Sequence, residues 1–139
     1  SSLSAGSAVK REDMELAREI FSTVGEIVEV EERLVDSVTA LSGSGPAYFF
    51  YMVESLIEAG KKAGLDGNTA EKLVLKTFSG SSKLLDVLKE SPAVLRKKVT
   101  SKGGTTEAAI KIFEKRKFKS IIADAVKAAR KRSKELARR

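Results

Sequence analysis

The sequence predicts a mainly α-helical domain that packs against a second chain, with a short β-α-β segment at its N-terminus. Helical spacing of apolar residues runs almost without interruption from Leu34 onward, as expected for amphipathic helices. The long segment that follows Pro46 is apolar on nearly every side, and such a helix lies either inside a large core or against another chain. Because the chain has only 139 residues, the second alternative is favoured, ahead also of an aromatic box for a cofactor.

The N-terminal segment has the pattern of the last part of a larger α/β domain. A short extended piece precedes a helix from about Arg11 to Thr23, which Gly25 ends. Residues 26–31 then alternate Glu with β-branched Ile and Val, which is typical of a strand. Two short strands cannot by themselves form a sheet that closes a core. We therefore expect the chain to begin in the middle of an α/β architecture.

Turn and capping residues delimit the remaining helices. Asn68 and Glu71 have the spacing of a capping box, Pro46 and Pro92 suit the first turn of a helix, and Gly80 would let a neighbouring helix approach closely. The first predicted helix covers Leu34 to Leu41 and is interrupted by Ser42-Gly43-Ser44-Gly45. The others cover Pro46 to Gly60, Asn68 to about Glu90, a short segment after Ser91-Pro92, the segment after the Gly-Gly loop with Ala108, Ala109, Ile110 and Phe113, and one from about Phe118.

Composition excludes several kinds of chemistry. The chain has no Cys and no His, which removes disulfides, the usual transition-metal ligands and Ser-His or Cys-His pairs. No metal site is expected, and the hydroxyls, lysines and carboxylates that remain suit a reaction whose reagent is a cofactor. Hydrophobic content of 42% with 32% charged residues, no long apolar run and no signal peptide predict a globular protein of the cytoplasm with no membrane partner.

The net charge of +7 is concentrated near the C-terminus. Residues 111–139 contain twelve Lys and Arg but three Asp and Glu, so a basic helical nucleic-acid-binding or scaffold module is the alternative function. No aromatic residue lies among Arg130-Lys131-Arg132 or Arg138-Arg139, although stacking on single strands requires one. A solvated helix face is therefore favoured, and no nucleic-acid partner is expected.

Residues 99–107 are the one stretch where Gly and hydroxyl residues precede a helical pattern. Adjacent glycines allow a positive φ and a close approach to a ligand, and the N–H groups of the following helix attract an anion. Neither the Lys-Ser/Thr pair of a nucleotide-phosphate loop nor a GxGxxG motif is present, so a small carboxylate is the favoured ligand. The alternative from spacing alone is an ordinary turn with a Thr N-cap.

Three motifs resemble pyrroline-5-carboxylate reductases, and the resemblance covers essentially the whole chain. The resemblance favours the anion site over the ordinary turn. The motifs are Thr39-Ala40-Leu41-Ser42-Gly43-Ser44-Gly45-Pro46-Ala47-Tyr48, then Val99-Thr100-Ser101-x-Gly103-Gly104-x-Thr106-x-x-Ala109-Ile110-x-x-Phe113-Glu114 with Pro92 and Leu95 before it, and Asp124-Ala125-Val126-x-Ala128-Ala129-x-Lys131-x-Ser133-Lys134-Glu135-Leu136.

The resemblance implies an oxidoreductase of proline biosynthesis that reduces pyrroline-5-carboxylate to L-proline with hydride from NADPH or NADH. It implies a Rossmann domain, of which residues 1–32 would be a remnant, and a helical dimerisation and substrate-binding domain at residues 33–139. The helical domain would interlock with its twin in a homodimer or a higher homo-oligomer. Most of the cofactor-binding surface would belong to the missing part, so the chain alone is expected to be inactive.

The resemblance also implies the roles of single residues. The Thr106 hydroxyl would bond the ring nitrogen as the catalytic group, with orientation favoured over proton donation because a Thr hydroxyl is a weak acid. Lys102 stands where the family usually has Pro, which removes a constraint on the loop. The implied substrate-binding residues are Ser101, Gly103, Gly104, Thr105 and Thr106, and the implied cofactor-binding residues are Val99, Thr100 and Ser44.

Overall fold

A computed structural model describes residues 1–137, and Arg138 and Arg139 of the basic tail lie outside the described residues. The chain divides into two compact units. One contains Ser1–Gly45 and the chain from Ala123 onward, and the other contains Pro46–Ile122. The predicted division into residues 1–32 and 33–139 is a different partition of the chain, because the contacts group the start of the chain with its last helix.

The unit that contains the N-terminus begins with the predicted β-α-β segment. Strand β1 (Ser2–Leu3) and strand β2 (Val28–Glu29) are parallel, with Ser2 opposite Val28. Helix α1 (Arg11–Ser22) connects them. The second strand is shorter than the predicted residues 26–31 because only one other strand, two residues long, is present to pair with it.

The short helical region that follows is more continuous than the sequence suggested. A 3₁₀ turn (Glu32–Leu34) leads into helix α2 (Val35–Val38), which widens into a π-helical turn (Thr39–Gly43). The predicted interruption at residues 42–45 is thus confined to Ser44, because the N–H of Ser44 still donates to the Thr39 carbonyl at 2.9 Å. The Ser133 hydroxyl, on the last helix, donates to Asp36 at 2.7 Å within the same unit.

The unit from Pro46 to Ile122 is built from helices alone. Helix α3 (Gly45–Lys62) and helix α4 (Gly67–Leu88) are the longest in this unit, and the rings of Phe49 and Phe78 lie 5.8 Å apart between them. A Cβ placed on Gly60 of α3 would lie 3.2 Å from the Cβ of Ala70 on α4, so the two helices approach closely there. Helices α5 (Pro92–Lys98) and α6 (Thr105–Lys115) follow in this unit, whereas helix α7 (Phe118–Leu136) belongs to the other unit from Ala123 onward.

The start of α4 corrects one prediction from sequence. The N-cap is Asp66, whose carboxylate accepts the Thr69 N–H at 3.0 Å, and not Asn68. Asp66 has the extended backbone that an N-cap requires, whereas Asn68 already lies within the helix. The side chain of Thr69, followed by its backbone N–H, lowers the pKa of the Asp66 carboxyl.

The described residues bury very little apolar surface completely. Only Ala40 and Ala70 are buried hydrophobic residues, and no large side chain among residues 1–137 is fully buried. Phe50 on α3 remains 71% exposed. Apart from its chain neighbours and the backbone of its own helix, no atom of residues 1–137 lies within 4 Å of a Cβ built on Gly80, so the close approach of another helix expected at Gly80 is not found among these residues. Such an open apolar surface marks a site of protein association.

No described helix combines the length and the apolar character needed to cross a membrane.

The Asp66 cap gives a direct test of the helix boundary. Asp66→Ala should lower the thermal unfolding midpoint by about 3 °C or more, because an N-cap carboxylate satisfies a helix N–H that otherwise lacks an acceptor. Asn68→Ala is the matched control, and its midpoint should stay within about 1 °C of the parent chain. Both are measured by circular dichroism at one protein concentration. Equal losses in the two variants would contradict the assignment.

Candidate functional site

The helix that precedes the Gly-Gly loop has a well-defined start and end. The Ser91 hydroxyl accepts the Val94 N–H at 3.4 Å, and Pro92 occupies the first turn of α5, as the sequence predicted. At the other end, the Thr100 hydroxyl donates to the Arg96 carbonyl at 2.6 Å. This bond ties the first residue after α5 to the last turn of the helix and so fixes the direction in which the loop begins.

The loop itself is a hydrogen-bonded turn from Ser101 to Gly104. The Gly104 N–H donates to the Ser101 carbonyl at 3.1 Å. Gly103, the third residue of the turn, has φ +76°. A type II turn requires a positive φ at that position, and residues other than Gly rarely adopt one. Lys102 therefore occupies the second position, where Pro is favoured.

Gly104 is required for a different reason, because there is no room for a side chain beside Ser101. Its φ of −82° is ordinary, but a Cβ at this position would lie 2.5 Å from the Ser101 Oγ and 3.2 Å from the Ser101 carbonyl oxygen. The Ser101 hydroxyl therefore lies directly against the Gly104 backbone. Any side chain at Gly104 would displace the hydroxyl from this position.

Helix α6 begins immediately after the turn. Its N-cap is Gly104 and no side chain caps it, so the Thr N-cap of the alternative interpretation is not formed. The N–H groups of Thr105 and Thr106 lie in the first turn, where no acceptor within the helix is available. The Thr105 side chain is exposed and Thr106 is half-buried.

Glu107 has a role in this loop that the sequence analysis did not assign. Its Oε2 accepts the Gly103 N–H at 2.7 Å, and its Oε1 lies 3.2 Å from the Lys111 Nζ. The bond from Gly103, followed by Lys111, lowers the pKa of the Glu107 carboxyl. The available signal was the four-residue spacing between Glu107 and Lys111, since residues so spaced face each other on a helix.

The remaining predicted positions are distributed between the two compact units. Val99 ends α5 and is 67% exposed, and it lies next to Thr100 at the start of the loop. Ser44 is in the other unit, at the end of the π-helical turn. Among residues 1–137, no group of three or more acidic residues could hold a metal ion.

Fold and loop together define a mainly helical association domain with a glycine turn that opens a helix. Residues 32–136 match the model of a family described as pyrroline-5-carboxylate reductase dimerisation. The chain belongs to this family.

Comparison with curated proteins agrees with the family. The chain is 45% identical over 137 residues to a pyrroline-5-carboxylate reductase of Synechocystis, covering 99% of this chain and 51% of that protein. It is 43% identical to a pyrroline-5-carboxylate reductase of Pseudomonas aeruginosa, covering 99% of this chain and 50% of the relative. The chain thus spans about half the length of the curated relatives it matches.

Solved structures show the same similarity. A pyrroline-5-carboxylate reductase from Coxiella burnetii matches with a TM-score of 0.88 and 40% identity, covering 97% of this chain and 50% of that one. A pyrroline carboxylate reductase from Plasmodium falciparum, solved with NADP bound, matches with a TM-score of 0.80 and 36% identity, covering 96% of this chain and 55% of that one.

The turn geometry predicts the effect of a proline in the loop. Lys102→Pro should raise the free energy of unfolding by about 0.4–1 kcal/mol, because Pro presets the φ of the second turn position and restricts the unfolded chain. Urea unfolding at fixed protein concentration measures the change. Lys102→Ala is the control that removes the cation without fixing φ, and it should leave stability within about 0.5 kcal/mol. A less stable Lys102→Pro variant would rule out this turn.

Proposed function

We propose that this chain is the dimerisation and substrate-binding part of an oxidoreductase that reduces L-1-pyrroline-5-carboxylate to L-proline with hydride from NADPH or NADH. The family match and the names of its relatives support the reaction. The observation that carries the proposal is the turn from Ser101 to Gly104, which opens α6 with backbone N–H groups available. The substrate of the oxidoreductase is then a small molecule with one carboxylate.

The substrate carboxylate would bind at the start of α6. The Gly104 N–H already donates to Ser101, so we assign the carboxylate to the N–H groups of Thr105 and Thr106 and to the Ser101 hydroxyl. The partial positive charge of the helix N-terminus favours an anion at this position. Gly103 and Gly104 contribute the turn conformation and the space for the Ser101 hydroxyl.

The Thr106 hydroxyl would bond to the ring nitrogen of the substrate. No other group of residues 1–137 is hydrogen-bonded to this hydroxyl, so it is available to a ligand. Reduction of the C=N bond turns the ring nitrogen into a more basic amine, and a positioned hydroxyl next to it orients the ring while the nitrogen gains its proton. A Thr hydroxyl is a weak acid, which favours orientation over proton donation.

Part of the chain fits a nicotinamide next to this loop. When bound, the cofactor supplies the hydride that the side chains of this protein cannot supply. Exposed Val99 offers an apolar surface to the ring, whereas Ser44 belongs to the other compact unit and its role stays a prediction from the resemblance. The Thr100 hydroxyl already donates to the Arg96 carbonyl, so towards the cofactor it would accept a hydrogen bond and not donate one.

The Thr106 assignment predicts a weaker complex with the product when the hydroxyl is removed. Thr106→Val, which keeps the side-chain shape, should weaken L-proline binding by about threefold to tenfold, the cost of one hydrogen bond. Binding is measured by NMR titration of the loop amides. Thr77→Val, on α4, is the control and should bind like the parent chain. Unchanged affinity in Thr106→Val would contradict the assignment.

A turnover assay tests whether the 139-residue chain is inactive without a cofactor-binding domain. The 139 residues contain no glycine-rich dinucleotide loop, so we expect the purified chain to show no NADPH oxidation with pyrroline-5-carboxylate. A full-length reductase of the family serves as the positive control. Turnover by the 139-residue chain would refute the proposed inactivity.

Homodimer formation is predicted from the apolar residues that stay exposed on α3. Light scattering at micromolar concentration should give twice the mass of one chain, because burial of such a surface drives association. Phe50→Asp should shift the mass toward that of a single chain, since it places a charge on the apolar surface. Lys62→Asp, at an exposed polar position of the same helix, should keep the dimer mass. A monomeric parent chain would refute the dimer.

A further inference from the structure

The side chain of Glu107 connects the substrate loop to the helix that follows it. Its Oε2 accepts the N–H of Gly103, the residue with φ +76°, at a distance of 2.7 Å. Its other oxygen faces the Lys111 ammonium at 3.2 Å. The carboxylate therefore holds the turn at the one residue of the loop whose backbone conformation is unusual.

We infer that Glu107 is the positioning residue of the substrate loop, where it fixes Gly103 and restricts the site to ligands with a single carboxylate. This inference rests on the proposed function, since it concerns the ligand of the same loop. Nothing else in the turn replaces the bond to Gly103. Lys102 has no ring to fix the turn, and the other bond in the turn joins Gly104 to Ser101.

The number of remaining donors explains the restriction. Two of the five consecutive N–H groups from Gly103 to Glu107 are already used, since Gly103 donates to the Glu107 carboxylate and Gly104 donates to Ser101. The N–H groups of Thr105, Thr106 and Glu107 remain in the first turn of α6, and two of them are enough for the two oxygens of one carboxylate. Phosphate has more oxygens and more charge, and it would find a Gly103 N–H that is already occupied.

The negative charge of Glu107 also favours a ligand with one carboxylate over phosphate. Its pKa lies below the ordinary value of 4.5, so the carboxylate is ionised at neutral pH, and a negative charge here opposes a dianion more than a monoanion. Lys111 offsets part of the charge and orients the carboxylate. Because that ion pair is exposed, it contributes little by itself, and the bond to Gly103 is the contact that matters.

The experiment compares three variants of the 139-residue chain. Glu107→Ala removes both the acceptor and the charge, whereas Glu107→Gln keeps an acceptor oxygen for Gly103 and removes the charge alone. Glu114→Gln is the matched control, because it removes one negative charge from the same helix, from a carboxylate that lies 3.8 Å from Arg96 and outside the loop. Two quantities are measured by NMR near pH 7, namely hydrogen exchange at the Gly103 amide and the affinities for L-proline and inorganic phosphate.

The expected results separate the two parts of the inference. Glu107→Ala should speed exchange at Gly103 by about tenfold and weaken L-proline by about fivefold, whereas Glu107→Gln should stay within about twofold of the parent chain in both. Glu107→Gln should also tighten phosphate relative to L-proline by about threefold. The control Glu114→Gln should change neither exchange nor the affinity ratio.

Two results would overturn the inference. Unchanged exchange at Gly103 in Glu107→Ala would show that the carboxylate does not hold the turn, and an unchanged ratio of affinities in Glu107→Gln would show that it does not select the ligand. If L-proline shifts no loop amide of the parent chain, the proposed function is wrong. The inference is then still decided, by the exchange at Gly103 and by the change in phosphate affinity in Glu107→Gln.

Discussion

Exposure of apolar side chains is the constraint on which the rest of this structure depends. Hydrophobic residues make up 42% of the chain, yet Ala40 and Ala70 are the buried hydrophobic residues among those described. Burial of apolar surface is the main favourable term in folding. In the proposed dimer, a chain that leaves Phe50 71% exposed would gain further burial of apolar surface from association, which agrees with the dimerisation family to which it belongs.

The loop of residues 101–104 does not depend on association, because local contacts fix its conformation. The Ser101–Gly104 turn is held by one backbone bond and by the bond from Gly103 to Glu107. Helix α5 before the turn and helix α6 after it have ends defined by their own residues. The loop can therefore keep its geometry within one compact unit, whereas the open apolar surface would be covered only in the proposed dimer.

Sequence alone was informative about this loop and about the kind of fold. The two glycines predicted a turn at the start of a helix, and the structure gives each a separate reason, a positive φ at Gly103 and a lack of space at Gly104. Ser91 and Pro92 predicted the start of α5 correctly. Local patterns succeed here because turns and caps depend on residues a few positions apart.

Other features could not be chosen from the sequence pattern and are known only from the three-dimensional structure. The N-cap of α4 is Asp66 and not Asn68, because several polar residues in one turn can cap a helix and only backbone direction selects among them. Glu107 was not assigned a role from sequence, since its contact with Gly103 requires the turn to fold first. The pattern of the sequence thus determined the helices and the loop. Three-dimensional packing decided which side chains hold them and which apolar residues remain exposed.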